Sequence, residues 1–316
     1  MKRFVKIVAG LLALIVILGG AFAALHWAPD RPVSELEARW AQPPSTFVDV
    51  AGMSVHVRDE GPRDDPSPIV LLHGTAASLH TWEGWARALT GRRRVIRFDL
   101  PGFGLTGPAP DNDYRIERYV SFVVAMLDKL GVRRCTLGGN SFGGYVAWVA
   151  ALKAPERVDK LILVDAGGYP QQSASVPIGF RIARLPVISK LAGFTLPRSV
   201  IESSLRNVYG DPGKVTPELV DLYYAITVRE GNRQALVQRF AQSAPGALAG
   251  RIPELKVPTL ILWGGRDRLI PPENAERFRR DIAGSRLVLF EDLGHVPHEE
   301  DPARTVAAVR LFLDGE

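Results

Sequence analysis

A serine set between glycines, a distant aspartate and a distant histidine occur in this order along the 316-residue chain, and together these residue types can carry out acyl transfer. The serine lies in Leu137-Gly138-Gly139-Asn140-Ser141-Phe142-Gly143-Gly144. Gly-x-Ser-x-Gly at 139–143 follows a short apolar run and precedes a helical pattern that stops at Pro155. In a strand-to-helix turn of this kind the hydroxyl is lifted clear of the sheet. The flanking glycines are required because a Cβ there would meet neighbouring backbone. An ordinary glycine-rich turn is the plain alternative, and the position of the motif carries more weight than its letters. A serine needs a base, and the base needs an orienting acid. Asp267 comes just after the run Thr259–Trp263, and His295 just after Leu287–Phe290. His73-Gly74-Thr75-Ala76 follows Ile69–Leu72, so the backbone N–H of Thr75, with that of Phe142, is a candidate oxyanion donor.

Other residues compete for these roles. Of the six histidines, His298 is the rival of His295, but it lacks a preceding glycine to allow the sharp turn. His73 reads as a loop-fixing residue, and His56 and His80 as surface or hydrogen-bonded polar groups. Asp165, at the end of a strand beside the serine's own, is the rival acid. Glu291 and Asp292 are too close in sequence to His295 to orient it well. Cys135 sits inside a strand-like run and reads as an inert buried thiol. One cysteine excludes a disulfide framework and a multi-thiolate metal site. There is no His-Glu-x-x-His, phosphate loop or dinucleotide fingerprint, so the chemistry calls for neither metal nor organic cofactor.

These residues need a scaffold, and the sequence supplies one. Ile69–Leu72, Val95–Phe98, Cys135–Leu137, Leu161–Val164 and Thr259–Trp263 are short apolar runs suited to strands covered on both faces. Ser54–Arg58 alternates and reads as an exposed edge strand. Ile116, Val120, Val123, Leu127 and Leu130 form a helical stripe stopped by Gly131. Strands alternating with helices imply a mostly parallel sheet, and ligands bind at the carboxyl ends of such strands. Between Val164 and Thr259 no convincing strand appears, whereas Thr216 and Pro217 open a helix. Apolar content of 46% fits a packed globule. A net charge of +5 without a run of like charges is a poor basis for nucleic-acid binding.

With its four stations in order, the chain resembles the α/β-hydrolase superfamily over residues 46–316. Asp99-Leu100-Pro101-Gly102-Phe103-Gly104-Leu105-Thr106 is similar to that family's Asp-x-Pro-Gly-x-Gly-x-Ser segment, with threonine for serine. The elbow variant also resembles that of some membrane-anchored bacterial lipases and esterases. The resemblance implies an α/β-hydrolase fold, a mostly parallel sheet flanked by helices, with its core at 46–167 and 251–316 and a helical cap at 168–250. It implies a serine hydrolase with Ser141 as nucleophile, His295 as base, Asp267 as acid, and no cofactor. Carboxylic ester hydrolysis is the leading expectation. Carbon–carbon hydrolysis of meta-cleavage products and acyl transfer use the same triad, and an inactive membrane-tethered binding protein is the non-enzymatic alternative. In the cap, Ile178, Phe180, Ile182, Leu185, Val187, Ile188, Leu191, Phe194 and Leu196 are expected to pack on the core, some of them lining an acyl pocket.

The N-terminus is a separate matter. Lys2, Arg3 and Lys6 precede an uncharged stretch from Ile7 to Leu25. As a helix that stretch covers about 28 Å, close to the thickness of a bilayer's hydrocarbon. Residues 1–27 are therefore expected to anchor the chain in a membrane; a signal cleaved after Ala21-Phe22-Ala23 is the alternative. The basic cluster places the N-terminus in the cytoplasm and the catalytic domain outside. Residues 28–45, with four prolines, read as a tether holding the domain off the bilayer.

Overall fold

The computed structural model describes residues 2–170, 173–185 and 193–315. Its core is one eight-stranded sheet in the order β1-β2-β4-β3-β5-β6-β7-β8. The strands are β1 (Thr46–Val50), β2 (Met53–Glu60), β3 (Ile69–Leu72), β4 (Val95–Phe98), β5 (Cys135–Asn140), β6 (Val158–Val164), β7 (Thr259–Gly264) and β8 (Arg286–Phe290). β2 runs antiparallel to both β1 and β4, and the strands from β4 to β8 in sheet order are mutually parallel. Ser54–Arg58 is therefore not an edge. β1 takes that place, and its half-exposed residues carry no clean apolar alternation that would mark it as a strand.

Both faces of the central strands are covered, which explains their continuous apolar runs. In β3, Val70 and Leu72 join Tyr119, Phe122 and Trp148 on one face, from the helices Ile116–Lys129 and Phe142–Lys153. Ile69 and Leu71 point the other way, toward Trp82, Trp85, Val309 and Phe312. The alternation has period two although no residue of the strand is polar.

Between β6 and β7 lie four described α-helices: Ile178–Ala183, Arg198–Val208, Pro217–Val228 and Asn232–Gln242. Thr216 Oγ1 accepts the Leu219 N–H at 3.2 Å and caps the third of these. Val187, Ile188 and Leu191 of the apolar cap stretch lie outside the described residues.

The segment after the N-terminal helix (Lys2–Leu25) departs from the expected tether. It is docked along its length. Val33–Trp40 is helical, and Leu36 is buried against Leu105 and Ala225. The Arg31 N–H donates to Val228 O at 2.8 Å, and the Glu230 N–H donates to Arg31 O at 2.8 Å. His80 Nε2 donates to Trp40 O at 2.8 Å, and His56 Nε2 pairs with Ser45 Oγ at 2.8 Å. Four prolines in the sequence suggested an extended spacer, but the apolar side of one short helix and these pairings fix the segment as a strap on core and cap.

Candidate active site

The turn between β5 and the helix Phe142–Lys153 is sharp. Ser141 has φ +54° and ψ −114°, a conformation rarely adopted by a non-glycine residue. The glycines on either side have no room for side chains. A Cβ on Gly143 would run into the carbonyl oxygens of Leu72 and His73, and one on Gly139 would strike the Gly143 backbone. Asn140, which sequence reasoning gave no role, locks the turn from behind. Its Nδ2 donates to Val164 O at 3.2 Å and to His295 O at 3.0 Å, tying the serine's turn to the histidine's loop. Its only sequence signal was its place inside the Gly-x-Ser-x-Gly motif.

His295 and Asp267 meet across the ends of β7 and β8. His295 Nδ1 lies 2.6 Å from Asp267 Oδ2, and both residues are buried. A carboxylate oxygen can only accept, so Nδ1 carries the hydrogen and Nε2 is left as the acceptor nitrogen. Asp267 Oδ1 accepts the N–H groups of Leu269 at 2.8 Å and Ile270 at 2.9 Å. Gly294 fits here because a Cβ would meet the backbone of Val208, Tyr209 and Gly210 from the cap. Ser141 and His295 line the same cavity, although no hydrogen bond joins them among the described residues. Such contacts commonly tighten only once substrate is bound.

The remaining sequence candidates are accounted for. Thr75 lines the cavity, and its loop passes so close that a Cβ on Gly74 would lie 3.3 Å from Ser141 Cβ. Phe142 opens its helix, so its N–H has no partner within that helix. His73 fixes the loop. Its Nε2 accepts the Leu100 N–H at 2.9 Å while Nδ1 donates to Gly74 O at 2.8 Å, and burial lowers its pKa. His298 is turned away into the core, with Nε2 on Thr81 Oγ1 at 2.9 Å. Asp165 proves to be a neighbour of the pair: ligating atoms of Asp165, Asp267 and His295 lie within 4.8 Å of one another. Cys135 is fully buried, and burial pushes its thiol up to about 12. Thr106 Oγ1 donates to Asp99 O at 3.0 Å and accepts the His56 N–H at 3.0 Å, so the threonine supports the Asp99 turn.

The cavity has a volume of about 910 Å³. Ser141, Thr75 and His295 line it together with Phe180, Ile182, Phe194 and Leu196 of the cap. It continues to Gly19, Phe22 and Ala23 of the N-terminal helix and to Trp27 beyond it. Among the described lining residues the Lys or Arg side chain is Arg233, whose Nη2 donates to Asp30 Oδ1 at 2.5 Å and Ala28 O at 2.8 Å.

Comparison with known proteins places the chain in a family. A family model described as the alpha/beta hydrolase fold matches residues 67–302. The chain belongs to that family. It is 30% identical over 279 residues to a 2-hydroxy-6-oxo-2,4-heptadienoate hydrolase of Pseudomonas putida strain F1, covering 85% of this chain and 96% of that protein. The fold also superposes on a meta-cleavage product hydrolase from Pseudomonas fluorescens IP01 with TM-score 0.74, 25% identity, and coverage of 86% and 98%. A membrane phospholipase A, described as a bacterial virulence factor, superposes with TM-score 0.71 at 27% identity. That match covers 100% of this chain and 99% of the other. As an alpha/beta hydrolase, the chain is a hydrolase by fold and by its relatives.

Proposed function

We propose that the chain is a membrane-tethered serine hydrolase cleaving carboxylic esters that carry an extended apolar acyl or alcohol part. The observation behind this reading is the cavity, whose mostly apolar lining includes both Ser141 and residues at the end of the N-terminal helix. Ser141 Oγ attacks the acyl carbon as His295 Nε2 takes its proton. Asp267 holds the tautomer and stabilises the imidazolium. The N–H groups of Phe142 and Thr75 receive the oxyanion, each worth about 3 kcal/mol of barrier. The imidazolium protonates the departing alcohol, leaving Ser141 as an ester. Water then gives its proton to His295 and its oxygen to the acyl carbon, and the acid departs as Ser141 regains its proton.

The relative from Pseudomonas putida favours a second reading, carbon–carbon hydrolysis. Its substrate, a hydroxy-oxo-dienoate, brings a carboxylate into the site, and a buried carboxylate requires a cation or several donors. Arg233 is the cation on the described lining, and its guanidinium is engaged with Asp30 and Ala28. The pocket therefore suits an apolar chain better.

Tethering is supported by the N-terminal helix, 24 residues long, whose apolar window has no described residue buried. At about 1.5 Å per residue it is long enough to cross a bilayer. The full-length match to a membrane phospholipase A lends further support. Lys2, Arg3 and Lys6 at its start orient the catalytic body outward.

The test is a panel of p-nitrophenyl esters of rising chain length alongside a 2-hydroxy-6-oxo-dienoate, with fluorophosphonate labelling of wild type and Ser141→Ala. Labelling confined to the wild type and a rate maximum at medium or long chains support the reading. Faster turnover of the dienoate than of any ester would replace it. Protease treatment of sealed vesicles and membrane fractionation separately test the anchor.

A further inference from the structure

Asp165 follows β6 directly, is fully buried, and holds a left-handed φ of +45°. The mechanism above gives it no task. Its Oδ1 accepts the Gly264 N–H at 2.9 Å, while Oδ2 has no hydrogen-bond partner. A buried carboxylate oxygen left without a donor is costly, so the group requires another account.

The surroundings supply one. Asp267 and His295 each bring a ligating atom within 4.8 Å of Asp165. Glu300 is the third carboxylate nearby. Its oxygens are occupied by the N–H groups of Gly210 at 2.9 Å, Asp211 at 2.8 Å and Gly294 at 2.9 Å. The cation facing the group is His295 when protonated, and its Nδ1–H is already given to Asp267. Two neighbouring carboxyl groups in a dry site cannot both be ionised. The donor count decides which keeps the proton. Asp267 receives Leu269 N–H, Ile270 N–H and His295 Nδ1–H, three donors that favour its anion. Asp165 receives one.

We propose that Asp165 is a protonated acid at neutral pH whose Oδ2–H donates to the Asp267 carboxylate. It is a positioning residue: it acts on the reaction through Asp267, which it holds in orientation and in charge beneath His295. No proton leaves the pair during turnover. Burial, then the charge of Asp267, pushes the Asp165 carboxyl well above its ordinary value, in keeping with this arrangement.

The pairing has a direct signature and a kinetic one. Difference infrared spectra of wild type against Asp165→Asn at neutral pH should show the carbonyl stretch of a protonated carboxylic acid that the variant lacks. Absence of that band from the wild type overturns the proposal, whatever the substrate of the enzyme. In kinetics, asparagine keeps a neutral donor, so kcat/KM should fall about 3-fold with the acid limb of its pH profile unmoved. Asp165→Ala removes the donor and should cost about 30-fold while moving that limb to higher pH, because a less satisfied Asp267 attracts the imidazolium more strongly. If Asp165 were instead ionised, Asp165→Asn would delete a negative charge beside His295 and shift the limb to lower pH, which also overturns the proposal. Thermal melts and fluorophosphonate labelling of both variants separate these outcomes from failure to fold.

Discussion

Trp27 stacks on Phe194, with ring centroids 6.0 Å apart and planes inclined by 12°. One ring stands just past the N-terminal helix and the other belongs to the cap. Backbone pairing reinforces the contact: the Ala28 N–H donates to Phe194 O at 2.9 Å, and the Leu196 N–H donates to His26 O at 3.0 Å. Both rings line the cavity. The chain leaving the helix is thus part of the cavity lining, and a shift of the helix against the cap would reshape the cavity.

Removing the stack should therefore change selectivity. Trp27→Ala should lower kcat/KM for long-chain esters about 5- to 10-fold and for short ones much less, since an exposed mouth holds fewer methylene groups away from water. The ratio of long- to short-chain rates is the measurement. An unaltered ratio would remove Trp27 from the substrate path.

Ser141, His295 and Asp267 should behave as a unit. Ser141→Ala and His295→Ala should each lower kcat about 10⁴-fold or more, with the double variant scarcely worse than either. Asp267→Asn should cost less than either change. Losses that multiply in the double variant would show that serine and histidine act separately, and a larger loss in Asp165→Asn than in Asp267→Asn would reassign the acid.

What the sequence revealed and hid follows from the range of the forces involved. The serine's turn was legible because Gly139 and Gly143 answer to backbone contacts within one strand-turn-helix unit. The order Ser141, Asp267, His295 was legible because each follows a short apolar strand. The strap was misread because its docking depends on Leu36 meeting Leu105 and Ala225, residues far away in the chain. β1 was missed because it lies half exposed at the sheet edge. Asp165 and Asp267 appeared as rivals for one role, and only the parallel alignment of β6 and β7 shows that they are neighbours.

Asp99 should control acid stability. Its buried carboxylate accepts the N–H groups of Leu79 and Leu105, both at 2.7 Å, and pairs with His56 Nδ1 at 2.8 Å. Burial opposes its charge, but His56 and the further histidines His73 and His80 outweigh that and hold the carboxyl far below its ordinary value. An acid depressed in the folded state stabilises the fold above its unfolded pKa of about 3.9 and loses that contribution as pH falls. Asp99→Asn should cost about 3 kcal/mol at pH 7, and its stability should fall less steeply toward pH 3 than that of the wild type. Urea denaturation at the two pH values reads both effects; parallel losses in variant and wild type would assign acid sensitivity elsewhere.

Arg239 presents the opposite case, a buried charge without a counter-ion among the described residues. It comes from the cap helix Asn232–Gln242, and its guanidinium carbon sits 3.8 Å from the centre of the Phe142 ring. Its Nε has no hydrogen-bond partner, and the groups that act on its charge are the Tyr119 hydroxyl and the Arg184 cation. Burial pulls its pKa down to about 10, so it remains charged at neutral pH. The Phe142 ring, with Phe240 at 5.3 Å, repays about 2 kcal/mol, less than the several kcal/mol that desolvating a cation costs. Phe142 is also the residue whose N–H is proposed to receive the oxyanion, so this charge lies one side chain from the developing negative charge. Arg239→Met should accordingly raise stability by about 1–2 kcal/mol and lower the acylation rate about 10-fold. Denaturation curves and the burst phase with a p-nitrophenyl ester measure the two together. A variant that loses stability would show that the ring contact outweighs desolvation, and an unchanged burst would show that the charge does not reach the oxyanion.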